Sequence, residues 1–185
     1  DFVVKNDYFH HEVAKKIAKT TFDVGYSNDS GVRELVENAG AMMGEIELDA
    51  ERQVMNVFLG ELVKASPKAA YGERMIRQAL EQGAVGRLLI SESLRKNSLT
   101  LQCTSCEHEW QASIGKMEAL PNCPSCKAAG DNAKVLKSIS LIEELTEMAS
   151  KSNTEVVYIS VDTEEGGQLL HGFGGLAGIC RYPIM

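Results

Sequence analysis

Apolar residues recur along this chain at two periods, and each change of period marks a change of element. Phe9, Val13, Ala14 and Ile17 share one face of a helix predicted from about Tyr8 to Lys19, with Asp7 as its cap. Thr20 to Val24 reads as a short strand. The stretch from Gly25 to Gly31 is turn chemistry and the best position for a domain boundary. A second helix is expected from about Val32 to Met43, burying Leu35, Val36 and Ala39. Asp49 is placed to cap a third, running to about Lys64 with Val54, Val57, Phe58 and Leu62 on its apolar face. Ser66-Pro67 stops it. A fourth, about Gly72 to Gln82, gathers Met75, Ile76, Ala79 and Leu80 and ends at Gly83.

The pattern then turns to strands. Val85 to Ile90 (VGRLLI) is a short apolar run of the buried kind. Ser98 to Leu101 opens a strand that continues into Cys103, and Ala133 to Leu136 is expected to return beside it. Ser140-Leu-Ile-Glu143 spells a capping box for a helix to about Lys151, with Leu141, Ile142, Leu145 and Met148 facing inward. Thr154 to Val161 (TEVVYISV) predicts a central strand, and Gly172 to Tyr182 a closing, glycine-bearing one. Helix, glycine, strand in succession is α/β architecture, with the order of the sheet left open.

Four of the five cysteines interrupt this pattern as Cys103-x2-Cys106 and Cys123-x2-Cys126. Two residues between cysteines let a tight turn aim both sulfurs at one tetrahedral centre while backbone amides donate to the thiolates. That is the spacing of a four-thiolate zinc ribbon. The bland alternatives are two disulfides or four free thiols. With four thiolates no ligand position is left open, so the Zn2+ is read as structural. Glu107 to Asn122 is long enough to go out and return as a short hairpin. The ribbon, about 98–137, is read as an insertion between two strands of the α/β core. His108 is a possible substitute ligand and otherwise a surface residue. Trp110, the only tryptophan, either covers the ribbon's small core or offers a base-stacking platform. The adjacent His10 and His11 read as helix surface.

Composition narrows the classes. At 185 residues, 44% hydrophobic and 24% charged, the chain is long enough for a main core that needs no metal. Its apolar runs are too short to span a bilayer. Cysteines arranged for zinc imply a reducing compartment, hence the cytoplasm. A net charge of −7 argues against a nucleic-acid surface over the whole chain, leaving protein partners or a local basic patch. A chain that begins at Asp1 and enters an apolar pattern at once reads as a segment of something longer.

Several stretches together resemble the archaeal and eukaryotic class-one peptide chain release factor family in its archaeal form. They are Tyr71-Gly-Glu, Ala79-Leu-Glu-Gln-Gly-Ala-Val85, Leu88-Leu-Ile-Ser-Glu92 and the terminal run from Gly172 to Tyr182 (GFGGLAGICRY). No one of these is diagnostic, but their joint order is specific. Pelota, the ribosome-rescue factor, is the nearest alternative, and its version generally lacks the cysteine-bearing insert. The resemblance implies that residues 1–30 are the tail of the family's middle domain and 31–185 its carboxy-terminal domain. It implies an α/β/α sandwich with a mixed sheet, carrying the inserted zinc ribbon. It further implies an adaptor that binds a translational GTPase (in archaea elongation factor one-alpha), engages the ribosome and helps to engage the recycling ATPase. The stop-codon and peptide-release loops lie upstream in the family.

Two segments gain meaning from that resemblance. Gly178-Ile179-Cys180-Arg181-Tyr182 matches a family segment associated with GTPase binding, with cysteine where leucine is common. The plain reading is a core strand in which Ile179 and Tyr182 pack, Arg181 faces out and Cys180 is a small buried apolar residue. Gly166-Gly167-Gln168 spells the tripeptide that release factors use at the peptidyl-transferase centre. Here Glu164 and Glu165 precede it, which suits a phosphate-lined site poorly, and a Gly-Gly turn between late strands is an ordinary use of such residues. The chain is therefore read as non-catalytic. A zinc-ribbon RNA module using Lys116, Lys127, Lys134 and Lys137 is the rival from the binding class.

Overall fold

The computed structural model describes residues 10, 12, 21–116 and 118–184, the side chains at 41, 42 and 45 excepted. The helix expected over Tyr8 to Lys19 lies almost wholly outside these residues. Of the strand expected over Thr20 to Val24, Thr20 is outside them and 21–24 are irregular. The chain divides into two compact units, 1–47 and 48–185, where the sequence pattern suggests a boundary near residue 30.

Helix α1 is Asp29–Leu62, one continuous element in place of the two expected. Asn28 caps it, its side-chain oxygen accepting from the amides of Ser30 and Gly31 at 3.1 and 3.3 Å. Nothing in 44–49 is strong enough to break the helix. A lone Gly44 costs about 1 kcal/mol relative to alanine, and Asp49 sits inside the helix, paired with Arg52 at 3.2 Å. In the first unit Leu35 and Val36 are exposed, not buried as expected. In the second, the inward face of α1 carries Glu51, Met55 and Phe58, spaced by four and three. Val57 is half exposed, so the apolar face is rotated from the expected one.

The second unit is built on a mixed four-stranded sheet in the order β1-β7-β2-β6. Its strands are β1 (Ala69–Tyr71), β2 (Val85–Ser91), β6 (Glu155–Ile159) and β7 (Leu176–Cys180). β2 pairs in parallel with β6, while β7 runs antiparallel to both β1 and β2. Strand alternation divides the side chains between two faces. Val85, Leu88 and Ile90 pack with Ile76, Ala79 and Leu80 of α2 (Gly72–Glu81) and with Leu141, Leu145 and Ala149 of α3 (Leu141–Lys151). Leu89, Ile159 and Ala177 pack with Met55 and Phe58 of α1 and with Leu169 of α4 (Glu164–Gly172). Helices cover both faces, which is the expected three-layer arrangement. Each fully buried leucine or isoleucine contributes roughly 1.5–3 kcal/mol to folding.

The strand expected to be central, over Thr154 to Val161, is not. β6 is an edge strand, with Tyr158 45% exposed, because β2 takes the central position between β6 and β7. Both sequences are apolar, and only pairing distinguishes them.

The strands flanking the cysteines are also placed differently. β3 (Lys96–Cys103), β4 (Glu109–Gly115) and β5 (Ala133–Ser140) form an antiparallel sheet of their own, in the order β4-β3-β5. The insertion therefore lies between β2 and α3, with its own strands, and not between two strands of the core sheet. Among the described residues, the segment after the first cysteine pair makes no strand pairing within itself. It pairs with β3, Trp110 opposite Leu101.

Side-chain bonds tie this second sheet to the core. Arg77 on α2 donates to Glu73 at 2.9 Å and to Glu144 on α3 at 2.6 Å, and Ser113 on β4 donates to Glu73. Arg77 holds the Glu144 carboxyl below its ordinary range, and the Ser98 hydroxyl adds to the effect. The capping box expected at Ser140 does not form, since the Ser140 side chain makes no capping bond to α3.

Candidate functional site

The four cysteines of the insertion meet at the tip of its sheet. Their sulfurs all lie within 4.8 Å of one another. Cys103 and Cys126 are 3.5 Å apart at Sγ, and Cys106 and Cys123 are 3.7 Å apart. A disulfide needs about 2.05 Å, and all five cysteines are free. Four sulfurs around a tetrahedral metal with bonds of about 2.3 Å stand about 3.8 Å from each other. The donor set fits that geometry.

The two knuckles are copies in backbone terms. Glu107 donates to the Cys103 carbonyl and Lys127 to the Cys123 carbonyl, both at 2.9 Å. The Cys103 amide donates to His108 O at 2.9 Å and the Cys123 amide to Ala128 O at 3.0 Å. Each turn closes through a left-handed residue, Glu107 at φ 59° and Lys127 at φ 60°. Neither is glycine, so each pays a small local cost that the rest of the turn holds in place. Cys103 and Cys123 are buried, while Cys106 and Cys126 are exposed at the tip.

Charge explains why such a cluster suits a cation. The Ser105 amide, with that of Cys106, pulls the Cys103 thiol down to about 6. The Ala128 amide favours the Cys126 thiolate, but the Cys106 and Cys103 sulfurs outweigh it and hold that thiol up at about 12. Several thiolates cannot share this volume unneutralised. The four residues could hold a metal ion, which would cross-link the two knuckles. His108 is not part of the set. Its ring stacks on Trp110 with centroids 6.3 Å apart and planes 11° apart. Trp110 is half-buried, with its indole nitrogen enclosed and unpartnered among the described residues.

The terminal segment is arranged differently from expectation. Gly178 is buried, and a Cβ there would meet Ile76 Cδ1 at 3.0 Å. Ile179 is half-buried against the α1 and α4 face, as the plain reading requires. Cys180 is 5% exposed, and burial pushes its thiol up to about 11. Arg181, although exposed, is occupied. It donates to Gly83 O at 2.8 Å, Ser152 O at 3.2 Å and Asn153 O at 2.7 Å. Those carbonyls close the C-terminal ends of α2 and α3, where the helix dipoles leave negative charge. Tyr182 does not pack inward. The residue is 47% exposed and its hydroxyl donates to Gln82 O at 2.8 Å. Nothing local to Arg181 signals this clamp, because its partners lie 28 to 98 positions away.

Gly166-Gly167-Gln168 is not a turn between strands. It lies in the first turns of α4, where the Thr163 hydroxyl accepts from the Gly166 amide at 3.0 Å and caps the helix. Gly166 is buried, and a Cβ there would stand 1.8 Å from the Ser160 carbonyl oxygen. Gln168 points outward and is exposed.

Comparison with known proteins gives this arrangement a family. The family described as eRF1 domain 3 matches residues 48–184, starting where the second compact unit starts. Peptide chain release factor subunit 1 of Methanococcoides burtonii is 39% identical over 181 residues, covering 95% of this chain and 43% of the relative. The chain thus spans less than half the length of that curated relative. Among solved structures, the C-terminal domain of the peptide chain release factor from Methanosarcina mazei aligns with a TM-score of 0.69 at 37% identity. That match covers 85% of this chain and 98% of that one. A structure of ribosome-bound archaeal Pelota and ABCE1 shares the fold, with a TM-score of 0.58 at 20% identity, covering 99% of this chain and 42% of that one. On these matches the chain belongs to the eRF1 domain 3 family, the carboxy-terminal domain of archaeal peptide chain release factors.

Proposed function

We propose that this chain is the non-catalytic adaptor part of a translation termination factor. It presents the factor to a translational GTPase of the elongation factor one-alpha class and contributes to its hold on the ribosome and on a recycling ATPase, in the cytoplasm. The observation that carries this reading is the match over 98% of the solved release-factor C-terminal domain. The whole factor's activity, promoting hydrolysis of peptidyl-tRNA at a stop codon, belongs on this reading to segments outside the chain.

Within the terminal segment, the exposed Tyr182 ring is the contact surface and Arg181 its support. Purified chain mixed with the GTP-bound elongation factor is expected to bind, and Tyr182→Ala to weaken that binding about tenfold, on the scale of a lost aromatic contact. Absence of any complex with the wild-type chain would sink the adaptor reading. A hydrolase centred on Gly166 to Gln168 is the rival. Gln168→Ala in a full-length factor should leave peptide release intact, and a large loss with normal folding would favour the rival.

The metal is read as structural zinc, held by Cys103, Cys106, Cys123 and Cys126 with no open position. Elemental analysis of chain purified without added metal is expected to give one zinc per chain. A stoichiometry near zero, or iron in its place, would overturn the assignment.

A further inference from the structure

At the opposite end of the cysteine-bearing sheet from the four cysteines lies a cleft of about 290 Å3 where that sheet joins the core. Arg95, Lys96 and Lys116 line it together with Ser140, Leu94 and Ile142. The pairing of Lys96 with Gly115 brings the start of β3 and the residue after β4 together, so cations 20 positions apart in sequence share one opening.

Two features bear on what this cleft holds. Among the described residues no ion pair joins Arg95, Lys96 or Lys116 to a carboxylate, which is equally true of Lys127, Lys134 and Lys137; what distinguishes the first three is that they line one opening. Arg95 spends donors only on the backbone carbonyls of Glu92 and Leu94. The nearby Glu118 carboxylate is turned to the Gly115 amide at 2.8 Å. The second feature is the missing cap. Ser140, the residue before α3, lines the same opening and makes no side-chain bond to the first amides of the helix, whose first turn carries Glu143 and the Arg77-paired Glu144. Three cations around one opening suit a phosphate group.

We infer that this cleft binds the phosphate backbone of RNA, without reading base sequence, and that it is the chain's polynucleotide contact in place of the lysines near the cysteine tip. A chain of net charge −7 repels polyanions over most of its surface, so a local basic cleft fixes both where RNA docks and in which orientation. The choice of RNA over an acidic protein rests on the ribosome engagement proposed above. It does not depend on the GTPase contact.

The test uses the whole chain and a fluorescein-labelled RNA hairpin of arbitrary sequence, followed by anisotropy. If the three cations each neutralise one phosphate, affinity is expected to fall about 40-fold between ~50 and ~200 mM salt. Arg95→Gln, Lys96→Gln and Lys116→Gln together should remove most binding at low salt and flatten that dependence. Replacing Lys127, Lys134 and Lys137 by Gln should leave it nearly unchanged, and Lys96→Arg with Lys116→Arg should retain binding. The proposal is overturned if the triple variant binds RNA as well as wild type, if the tip lysines carry the binding, if wild type does not bind the hairpin at ~50 mM salt, or if polyglutamate binds the cleft as tightly as RNA. Loss of the GTPase complex with RNA binding intact would instead count against the adaptor reading alone.

Discussion

The Arg181 guanidinium donates to the carbonyl of Asn153 at 2.7 Å, joining the end of β7 to the residue that terminates α3. Asn153 itself is left-handed at φ 50°, and the Thr154 amide donates back to Ala149 O at 2.9 Å. The end of α2 has the same form: Gly83 at φ 64°, with the Ala84 amide on Ala79 O at 2.9 Å. Arg181 reaches both ends, so one side chain satisfies carbonyls of two helices that terminate alike.

Arg181→Ala should therefore lower stability by about 1–3 kcal/mol, as read from urea denaturation. Arg181→Lys should recover only part, since one ammonium cannot fork to three carbonyls. A loss of GTPase binding in either variant reports on this clamp before it reports on contact. Unchanged stability in Arg181→Ala would refute the clamp.

Metal removal should act locally. Binding of zinc to small peptides is worth roughly 10–16 kcal/mol, and on the zinc reading proposed above that energy would order a knuckle pair with little core of its own. The four-stranded sheet has buried clusters on both faces that include none of the four cysteines. With chelator, amide exchange is expected to speed up over 103–126 while β2 and β7 stay protected. Collapse of protection throughout would show that the core depends on the metal.

The adjacent glycines of α4 should respond oppositely. Gly166→Ala drives a methyl into the Ser160 carbonyl and should cost more than about 2 kcal/mol. Gly167 faces open space, and Gly167→Ala should gain about 0.4–1 kcal/mol by restricting the unfolded chain. Equal midpoints for the two variants would contradict this placement.

Glu144 gives a pH signature. Its folded carboxyl is held below the ordinary value of 4.5, chiefly by Arg77. A depressed carboxylate adds stability that is fully present above the unfolded value and is lost as pH falls through the folded one. Glu144→Gln should cost about 1–2 kcal/mol near neutral pH, and the gap to wild type should shrink below pH 4.5. A gap independent of pH would exclude the ion pair as its cause.

Local matters were legible from the residues alone: the cysteine spacing, Gly83 as a helix stop, the inward residues Ile76, Leu80, Leu141 and Leu145, and the family. Each rests on neighbours within a few turns of chain. Tertiary structure alone decided that β2 and not β6 is central, that 98–103 and 133–140 leave the core sheet for one of their own, and that residues 29–62 form one helix. Strand pairing depends on partners far along the chain, and apolar content is the same for an edge and a centre. The terminal segment shows the limit most sharply. Cys180 reads as buried from its type, whereas Arg181 acquires its role only when two helix ends, far apart in sequence, close on it.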